Sequence, residues 1–232
     1  DSEPGSVVVP NPDLKPEYAW NAELGTSKIF ANLIKLDLST YYTYLDNAFA
    51  RRNFKYNGQD SLLYDGEMSQ VQAIQNITRA FVYGVQAEID IKFGSGFGLN
   101  SILNFQHGAE QSEDSLIDYP LRHAAPLFGS THLTYTCKNF IIDFYGIYNS
   151  KMDFDDLPLS ERNDASPYAK DNNGNPYVPE WYTLNFKAAW YVNSYLSIHA
   201  GIENITDRLY RPYASGISAP GRNLIIAMYL KM

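Results

Sequence analysis

The chain lacks the features that mark a disulfide scaffold, a nucleic-acid binder or a helical membrane protein. Its 232 residues include one cysteine, Cys137, which excludes a disulfide framework and a multi-cysteine metal site. The 18 basic residues are outnumbered by 26 acidic ones and form no cluster, which argues against nucleic-acid binding. No run of 18 apolar residues occurs, so no transmembrane helix is expected. Barrel strands remain possible, because they need only about 9–11 alternating residues.

Motifs for catalysis and for metal binding are also missing. The sequence holds no nucleophile elbow, no zinc motif and no phosphate loop, so we expect neither an enzyme nor a bound cofactor or metal. The four histidines are scattered without the spacing of metal ligands. The segment 171–175 resembles a calcium loop but lacks the acidic ligand that should follow, which favours a plain turn. The acidic run at 153–156 is interpreted as a solvated loop.

Aromatic residues are abundant, at 15% of the chain, and tyrosine contributes 19 of them. Tyrosine and tryptophan gather where one end of a side chain is apolar and the other end is wet. Such places include protein cores, interfaces and the edges of a bilayer.

The clearest local pattern is a strict alternation from Tyr83 to Phe93. Apolar or aromatic residues occupy every second position, and Glu88, Asp90 and Lys92 lie between them. Because successive side chains of a strand point to opposite faces, this strand has one apolar and one charged face.

Similar stretches recur, joined alternately by tight turns and long polar loops. They predict an all-β chain with nine strands, at about Tyr18–Ile29, Ile34–Tyr44, Ala80–Phe93, Phe97–Gln106, Pro126–Cys137, Phe140–Ser150, Tyr182–Asn193, Leu196–Ile202 and Leu224–Met232. A further strand within Ser69–Ile77 is expected to extend above the main sheet. The long loops all fall at one end of the sheet.

Two architectures suit such amphipathic hairpins. A sandwich buries the apolar faces against each other, whereas an up-and-down transmembrane barrel turns them to lipid and the polar faces to a wet lumen. The strands are long, charges lie on their polar faces, and aromatics cluster at their ends, all of which favours the barrel. Nine strands are an odd number that cannot close with both termini on one side, so we predict part of a larger barrel.

Several motifs carry a resemblance to a known family. The first is Asn11-Pro12-Asp13-Leu14-Lys15-Pro16-Glu17, which leads into the first strand, and the second is the strand around Gly84. Near the C-terminus, Asn204, Asp207 and Tyr210 match a G-x-x-N-[IL]-x-[DN]-x-x-Y pattern, and Gly221-Arg222 precedes the last strand. Together these motifs resemble the C-terminal β-barrel segment of TonB-dependent outer-membrane receptors, most closely those of Bacteroidetes-type bacteria.

The resemblance implies a fold and a location. A complete receptor of this family is a barrel of about 22 strands that encloses an N-terminal plug domain. Residues 1–232 would supply about the last nine strands in the bacterial outer membrane, in contact with lipid and with the rest of the barrel. The plug and the TonB box are absent from this chain, and Met232 stands where the family usually has Phe.

The resemblance also implies a function. Such receptors import a scarce ligand that porins exclude, namely an iron–siderophore, haem, cobalamin or glycan, with energy delivered by TonB through the plug. The candidate ligand contacts in the outer loops are Tyr56, Tyr64, Tyr168, Tyr177 and Tyr213, although such rings equally suit packing of the loops on one another. The alternative is a soluble extracellular β-sandwich that binds a ligand such as a carbohydrate.

Overall fold

The computed structural model describes residues 5–76, 79–111, 118–121, 124–162 and 168–231. Ile77, His123 and Met232, on which parts of the sequence predictions fall, lie outside these ranges. The chain divides into two compact units. The smaller unit comprises Asp1–Ala22, Thr43–Val82 and Gly108–Leu121, and the larger comprises Glu23–Tyr42, Tyr83–His107 and Arg122–Met232.

Strands account for most of the described chain, as predicted. In chain order they are β1 Ser6–Val8, β2 Tyr18–Phe30, β3 Ile34–Asp46, β4 Phe49–Asn53, β5 Ser61–Tyr64, β6 Glu67–Asn76, β7 Arg79–Gly94, β8 Phe97–Gln111, β9 Asp118–Pro120, β10 Phe128–Cys137, β11 Phe140–Asn149, β12 Ala169–Lys170, β13 Pro176–Tyr177, β14 Trp181–Tyr191, β15 Leu196–Glu203 and β16 Asn223–Leu230.

The main sheet has the order β16-β15-β14-β11-β10-β8-β7-β3-β2, with β9 paired to β8. The nine strands of this path are the nine that the alternation predicts, within a few residues at their ends except for β8, which runs five residues further. Tight turns join β7 to β8 and β10 to β11, and residues with positive φ make them: Ser95 at 51° and Lys138 at 47°. The antiparallel sheet is open, with β2 and β16 at the two ends of its order.

The two faces of the sheet differ as the alternation requires. On one face Asp143 lies opposite Lys187, and on the other Phe140 lies opposite Trp190, whose ring stacks on it with centroids 5.7 Å apart. The apolar face is uncovered: Leu224 is 76% and Ile226 is 84% exposed. A sandwich would bury these side chains, so the alternative prediction of a β-sandwich is wrong.

The smaller unit contains a four-stranded sheet built around β6. β1 pairs with β6 in parallel, and β4 and β5 pair with it in antiparallel register. The sequence predicted only the β6 strand, and predicted it as an extension of the main sheet, whereas it is the centre of a separate sheet. Ala48 and Ala80 form the buried apolar cluster of this unit, with Leu121 packed against them.

The long segment between β11 and β14 belongs to the larger unit and carries local structure that the pattern did not predict. It contains a 3-10 turn at Phe154–Asp156, one helical turn, α1, at Leu159–Arg162, and the two-stranded β12–β13 hairpin. Met152, Leu157 and Val178 form a small buried cluster there. Among the described residues, no helix has both the length and the apolarity to cross a membrane.

Cys137 is exposed; it is the last residue of β10 and borders the tight turn to β11.

Gly84 of the second motif has a packing role in the larger unit. A Cβ at this position would lie 2.6 Å from the ring of Tyr41, which crosses the glycine. The Tyr41 hydroxyl donates to Gln106 Oε1 at 3.1 Å, and Thr40 Oγ1 donates to the Gly84 carbonyl at 3.1 Å. The absent side chain therefore makes room for an aromatic ring that spans neighbouring strands.

We predict that Gly84→Ala displaces Tyr41 and breaks its hydrogen bond to Gln106. The expected loss in the free energy of unfolding is about 1 kcal/mol or more, measured by urea unfolding in detergent micelles. Gly146→Ala is the matched control, because its nearest neighbour, Thr183 O, lies at 3.7 Å, an ordinary contact. Equal losses for the two variants would contradict the packing role.

Candidate functional site

A cavity of about 310 Å³ opens among the loops of the larger unit. Two long loops form it, the one between β11 and β14 and the one between β15 and β16. Its lining residues are Tyr168, Ala169, Tyr177, Val178, Pro179, Glu180, Trp181, Arg208, Leu209, Tyr210, Arg211, Pro212, Tyr213, Ala214, Ser215 and Ser218. Three of the predicted ligand contacts, Tyr168, Tyr177 and Tyr213, thus line the same cavity.

The first wall is held by the buried cluster of the β11–β14 loop. Tyr168 and Tyr213 pack against that cluster. The Tyr168 hydroxyl donates to Glu161 Oε2 at 2.5 Å, and Glu161 is itself buried. Met152 and Val178 exchange backbone hydrogen bonds of 3.0 Å, which tie the start of the loop to its end. Tyr168 and Tyr213 therefore pack the loop and also line the cavity. Their role as ligand contacts stays a prediction.

The second wall starts at Trp181, the first residue of β14. The rings of Trp181 and Tyr210 lie with centroids 4.3 Å apart. Arg208 stacks its guanidinium over Tyr182 at 5.2 Å and donates through Nη2 to the Glu180 carbonyl at 3.1 Å. Burial raises the pKa of the Tyr210 phenol, and the charge of Glu203 raises it further, so this hydroxyl stays protonated at neutral pH.

Asn204 is the polar anchor of the β15–β16 loop. It is 3% exposed and has a positive φ of 49°, a conformation that Asn tolerates better than most residues. Its Nδ2 donates to the carbonyls of Arg208 at 2.8 Å and Pro220 at 3.3 Å, while its Oδ1 accepts the Arg208 N–H at 2.9 Å. The side chain therefore ties together the two ends of the loop.

Asn185 completes this anchor and was missed at the sequence level. Its Oδ1 accepts the Asn204 N–H at 2.9 Å, and its Nδ2 donates to Thr183 Oγ1 at 3.1 Å. Asn185 is 3% exposed. The alternation identifies Asn185 as a polar-face residue of β14 and nothing more. Its partner, Asn204, becomes visible when β14 and β15 pair.

The remaining residues of the C-terminal motifs, Asp207, Gly221 and Arg222, connect the start of the β15–β16 loop to its end. Asp207, with φ 54°, accepts the Arg222 N–H through Oδ1 at 2.8 Å. A Cβ on Gly221 would lie 2.7 Å from that carboxylate oxygen. Arg222 Nε donates to the Ile205 carbonyl at 3.0 Å. The motif thus has a structural role, which is to hold the loop that carries Tyr210 and Tyr213.

The first motif anchors a segment within the smaller unit. Asn11 Nδ2 donates to the Ile74 carbonyl at 3.0 Å, and Glu17 Oε2 accepts the Phe49 N–H at 2.7 Å. Asn76, which the sequence did not single out, accepts the Lys15 N–H at 2.8 Å and donates to the Lys15 carbonyl at 2.9 Å.

The other predicted residues of the smaller unit are less informative. Pro12 lies in a turn, and Leu14 and Pro16 lie in the irregular segment between that turn and β2. Tyr56 and Tyr64 belong to the same unit, and both side chains are exposed. Their role as ligand contacts stays a prediction.

Two of the histidines, His132 and His199, pack against aromatic rings in the main sheet. His132 Nδ1 lies 3.0 Å from Asp143 Oδ2, and its ring stacks on Tyr145. His199 packs edge-on against Tyr191 and Tyr229. Within the described ranges, no group of three or more His, Cys, Asp or Glu side chains could hold a metal ion.

Asp171 makes the plain turn that the sequence predicted for the calcium-like segment. Its Oδ1 accepts the N–H groups of Asn173 and Asn175, each at 2.8 Å. These hydrogen bonds lower the pKa of the Asp171 carboxyl, and the bond from the Asn175 N–H has the largest effect.

Comparison with known proteins identifies the class of the chain. The family model of the TonB dependent receptor-like beta-barrel matches residues 1–205. The chain belongs to this family, and such barrels lie in the outer membrane of Gram-negative bacteria. A search of curated proteins finds no match.

Solved structures share the fold. The copper transporter OprC superposes with a TM-score of 0.70 at 14% identity, covering 94% of this chain and 32% of its own. The FrpB iron transporter of Neisseria meningitidis (F5-1 variant) superposes with a TM-score of 0.68 at 14% identity, and the match covers 97% of this chain and 33% of the transporter. The siderophore receptor PirA of Acinetobacter baumannii superposes with a TM-score of 0.65 at 14% identity, and the match covers 96% of this chain and 33% of the receptor. The chain therefore spans about a third of the length of the structures it matches.

We predict that Asn204→Ala releases the β15–β16 loop. The change removes three hydrogen bonds and leaves Ala at positive φ, at an expected cost of about 2 kcal/mol. Trypsin should then cut after Arg208 at least several-fold faster in detergent. Asn193→Ala is the control, since Asn193 Oδ1 caps the β14–β15 turn by accepting the N–H groups of Tyr195 and Leu196. Equal cleavage rates in both variants would refute the anchoring role.

A second prediction concerns the β12–β13 hairpin. The pKa of Asp171 is lower in the folded protein than in the unfolded chain. The ionised Asp171 side chain therefore stabilises the hairpin fully above the ordinary aspartate pKa, and this stabilisation is lost as the pH falls through the lowered pKa. Hydrogen exchange of a peptide spanning 169–177, corrected for intrinsic rates, should therefore show loss of protection only in that acidic range. Asp171→Asn should show a flat profile. The same acid response in both proteins would show that another group is responsible.

Proposed function

We propose that the chain forms part of the lumen wall and the extracellular, ligand-capturing loops of an outer-membrane active-transport receptor. Its cargo would be a scarce ligand that porins exclude: an iron–siderophore, haem, cobalamin or glycan. Membership of the receptor family supports a transport role. The observation that carries the proposal is the meeting of two long loops, from different hairpins, in one aromatic cavity beside the first residue of β14.

The polar face of the sheet suits a wet lumen. Asn100 Nδ2 donates to Glu88 Oε1 and to Asp90 Oδ1, each at 2.9 Å, across neighbouring strands. Further along the same face, Lys187 lies over the Tyr145 ring at 4.8 Å and 3.7 Å from Glu203. Such hydrogen-bonded charges are costly in lipid but acceptable in water.

The partners follow from the open sheet and from the family. We propose that residues 1–232 are the C-terminal part of a barrel domain whose other strands pair with the outer edges of β2 and β16. Unpaired edges would invite aggregation if they stayed uncovered. The plug would lie inside that barrel and connect to TonB, and lipid would cover the apolar face.

A cavity-filling variant tests the capture role. In cells that depend on the full-length receptor for growth, Ala169→Trp should reduce uptake at least about tenfold, equivalent to about 1.4 kcal/mol of lost binding. Lys170→Trp is the matched control, because Lys170 is the neighbour of Ala169 in β12 and does not line the cavity.

Two outcomes would contradict the proposal. One is unchanged uptake in Ala169→Trp at equal surface expression. The other is uptake that continues after the energy-supplying inner-membrane complex is deleted, because active transport through a plug requires that energy.

A further inference from the structure

An arginine lies above an aromatic ring where the apolar face of the main sheet meets the long loops. Tyr182 of β14 belongs to the face that carries Phe140 and Trp190, because alternate residues of a strand share a face. Tyr182 is 49% exposed, and the Arg208 guanidinium lies over its ring, 5.2 Å from the centroid. In the proposed barrel this ring lies at the border of the bilayer, where tyrosine is common and an arginine head reaches toward water.

A second arginine, Arg222, belongs to the same border. It immediately precedes β16, and Leu224, two residues further on, is an exposed residue of the apolar face. Arg222 Nε donates to the Ile205 carbonyl at 3.0 Å, and the Ile205 N–H donates to the Leu184 carbonyl at 2.8 Å. Leu184 follows Tyr182 on one face of β14. Both guanidinium groups are therefore linked to the first residues of β14.

Neither guanidinium group has an acidic partner among the described residues, whose ion pairs involve other side chains. Arg208 Nη2 donates to a backbone oxygen, the Glu180 carbonyl, at 3.1 Å, and Arg222 Nε also donates to a backbone carbonyl. Asp207 Oδ1 accepts the backbone N–H of Arg222. Because a guanidinium has five N–H donors, most donors of both groups remain for an anion outside the chain.

The surroundings of the two arginines indicate the kind of anion. Arginine binds phosphate through charge-assisted, often bidentate hydrogen bonds. Along the strand from Arg222, the exposed side chains of Leu224 and Ile226 continue the apolar face and suit acyl chains. A phosphate that is joined to acyl chains satisfies both surfaces, whereas a free phosphate satisfies the arginines alone.

We propose that Arg208 and Arg222 bind the phosphate of an outer-leaflet lipid, whose acyl chains lie on the apolar face beside them. This inference rests on the proposed function, because it needs the long loops to lie on the extracellular side. Basic side chains at a membrane border recognise anionic lipid head groups in this way. Lipid without phosphate, and phosphate without lipid, are the competing occupants.

The test uses the purified full-length receptor in detergent, with binding followed by native mass spectrometry. The probes are diphosphorylated lipid A, the same lipid after enzymatic removal of its phosphates, and inorganic pyrophosphate. The phosphorylated lipid should bind at least about tenfold more tightly than the dephosphorylated one, because the two differ in the anion. Pyrophosphate at equal concentration should not displace it. Equal binding of the two lipids, or displacement by pyrophosphate, would overturn the inference.

Variants locate the phosphate. The double variant Arg208→Gln, Arg222→Gln removes both charges and should abolish the preference for the phosphorylated lipid. Lys28→Gln is the matched control and should keep that preference. Lys28 also lies over an aromatic ring, that of Phe30 at 6.0 Å, but beside the short turn that follows β2.

A charge-preserving variant guards against a folding defect. Arg208→Lys, Arg222→Lys should retain part of the preference, because lysine keeps the charge but loses the bidentate geometry. Thermal unfolding without added lipid identifies any variant that fails to fold. A folded double Gln variant that keeps the full preference would overturn the inference, as would a folded double Lys variant without any preference.

These outcomes are distinguishable from failure of the proposed function, since lipid binding is measured without uptake. If the two lipids bind equally while uptake depends on the loop cavity, the lipid site is refuted and the receptor role stands. If Ala169→Trp leaves uptake unchanged while the lipid preference holds, the capture role fails and the lipid site stands.

Discussion

Every backbone polar group of a membrane-crossing sheet has to be satisfied by a neighbouring strand, because lipid offers no hydrogen bonds. The continuous antiparallel ladder from β2 to β16 meets this demand between its edges. In the proposed barrel the uncovered apolar face needs no second sheet, since lipid would cover it. The polar face is left for charged side chains that pair across strands, as Lys187 and Glu203 do.

The loops depend on this ladder through a few buried amides. Asn185 in β14 holds the backbone of Asn204, and Asn204 holds both ends of the β15–β16 loop. The rings of Tyr210 and Tyr213 are carried by that loop. A rigid wall therefore positions an aromatic cavity, although the cavity itself is built from irregular chain.

Much of the fold was predictable because strand alternation has a local cause. The alternation of polar and apolar residues in β7 is visible in eleven consecutive residues, and Gly or Asn at the turns indicates where the chain reverses. The small strands β1, β4 and β5 were not predictable, since three to five residues carry too little periodicity and β1 pairs with a strand about sixty residues away. The glycine at position 84 was recognised as a motif residue, but its reason, the ring of Tyr41, required the packed strands.

The sequence alone determined the all-β class, the two unlike faces, the nine-strand path and the resemblance to a receptor family, because period-two patterning and short motifs are local properties. Only the tertiary structure decided that Tyr168, Tyr177 and Tyr213 share one cavity while Tyr56 and Tyr64 belong to another unit. It also decided that Asn185 is the partner of Asn204. Residues from different loops and strands meet through strand pairing, and that long-range register is not written in any single stretch of the chain.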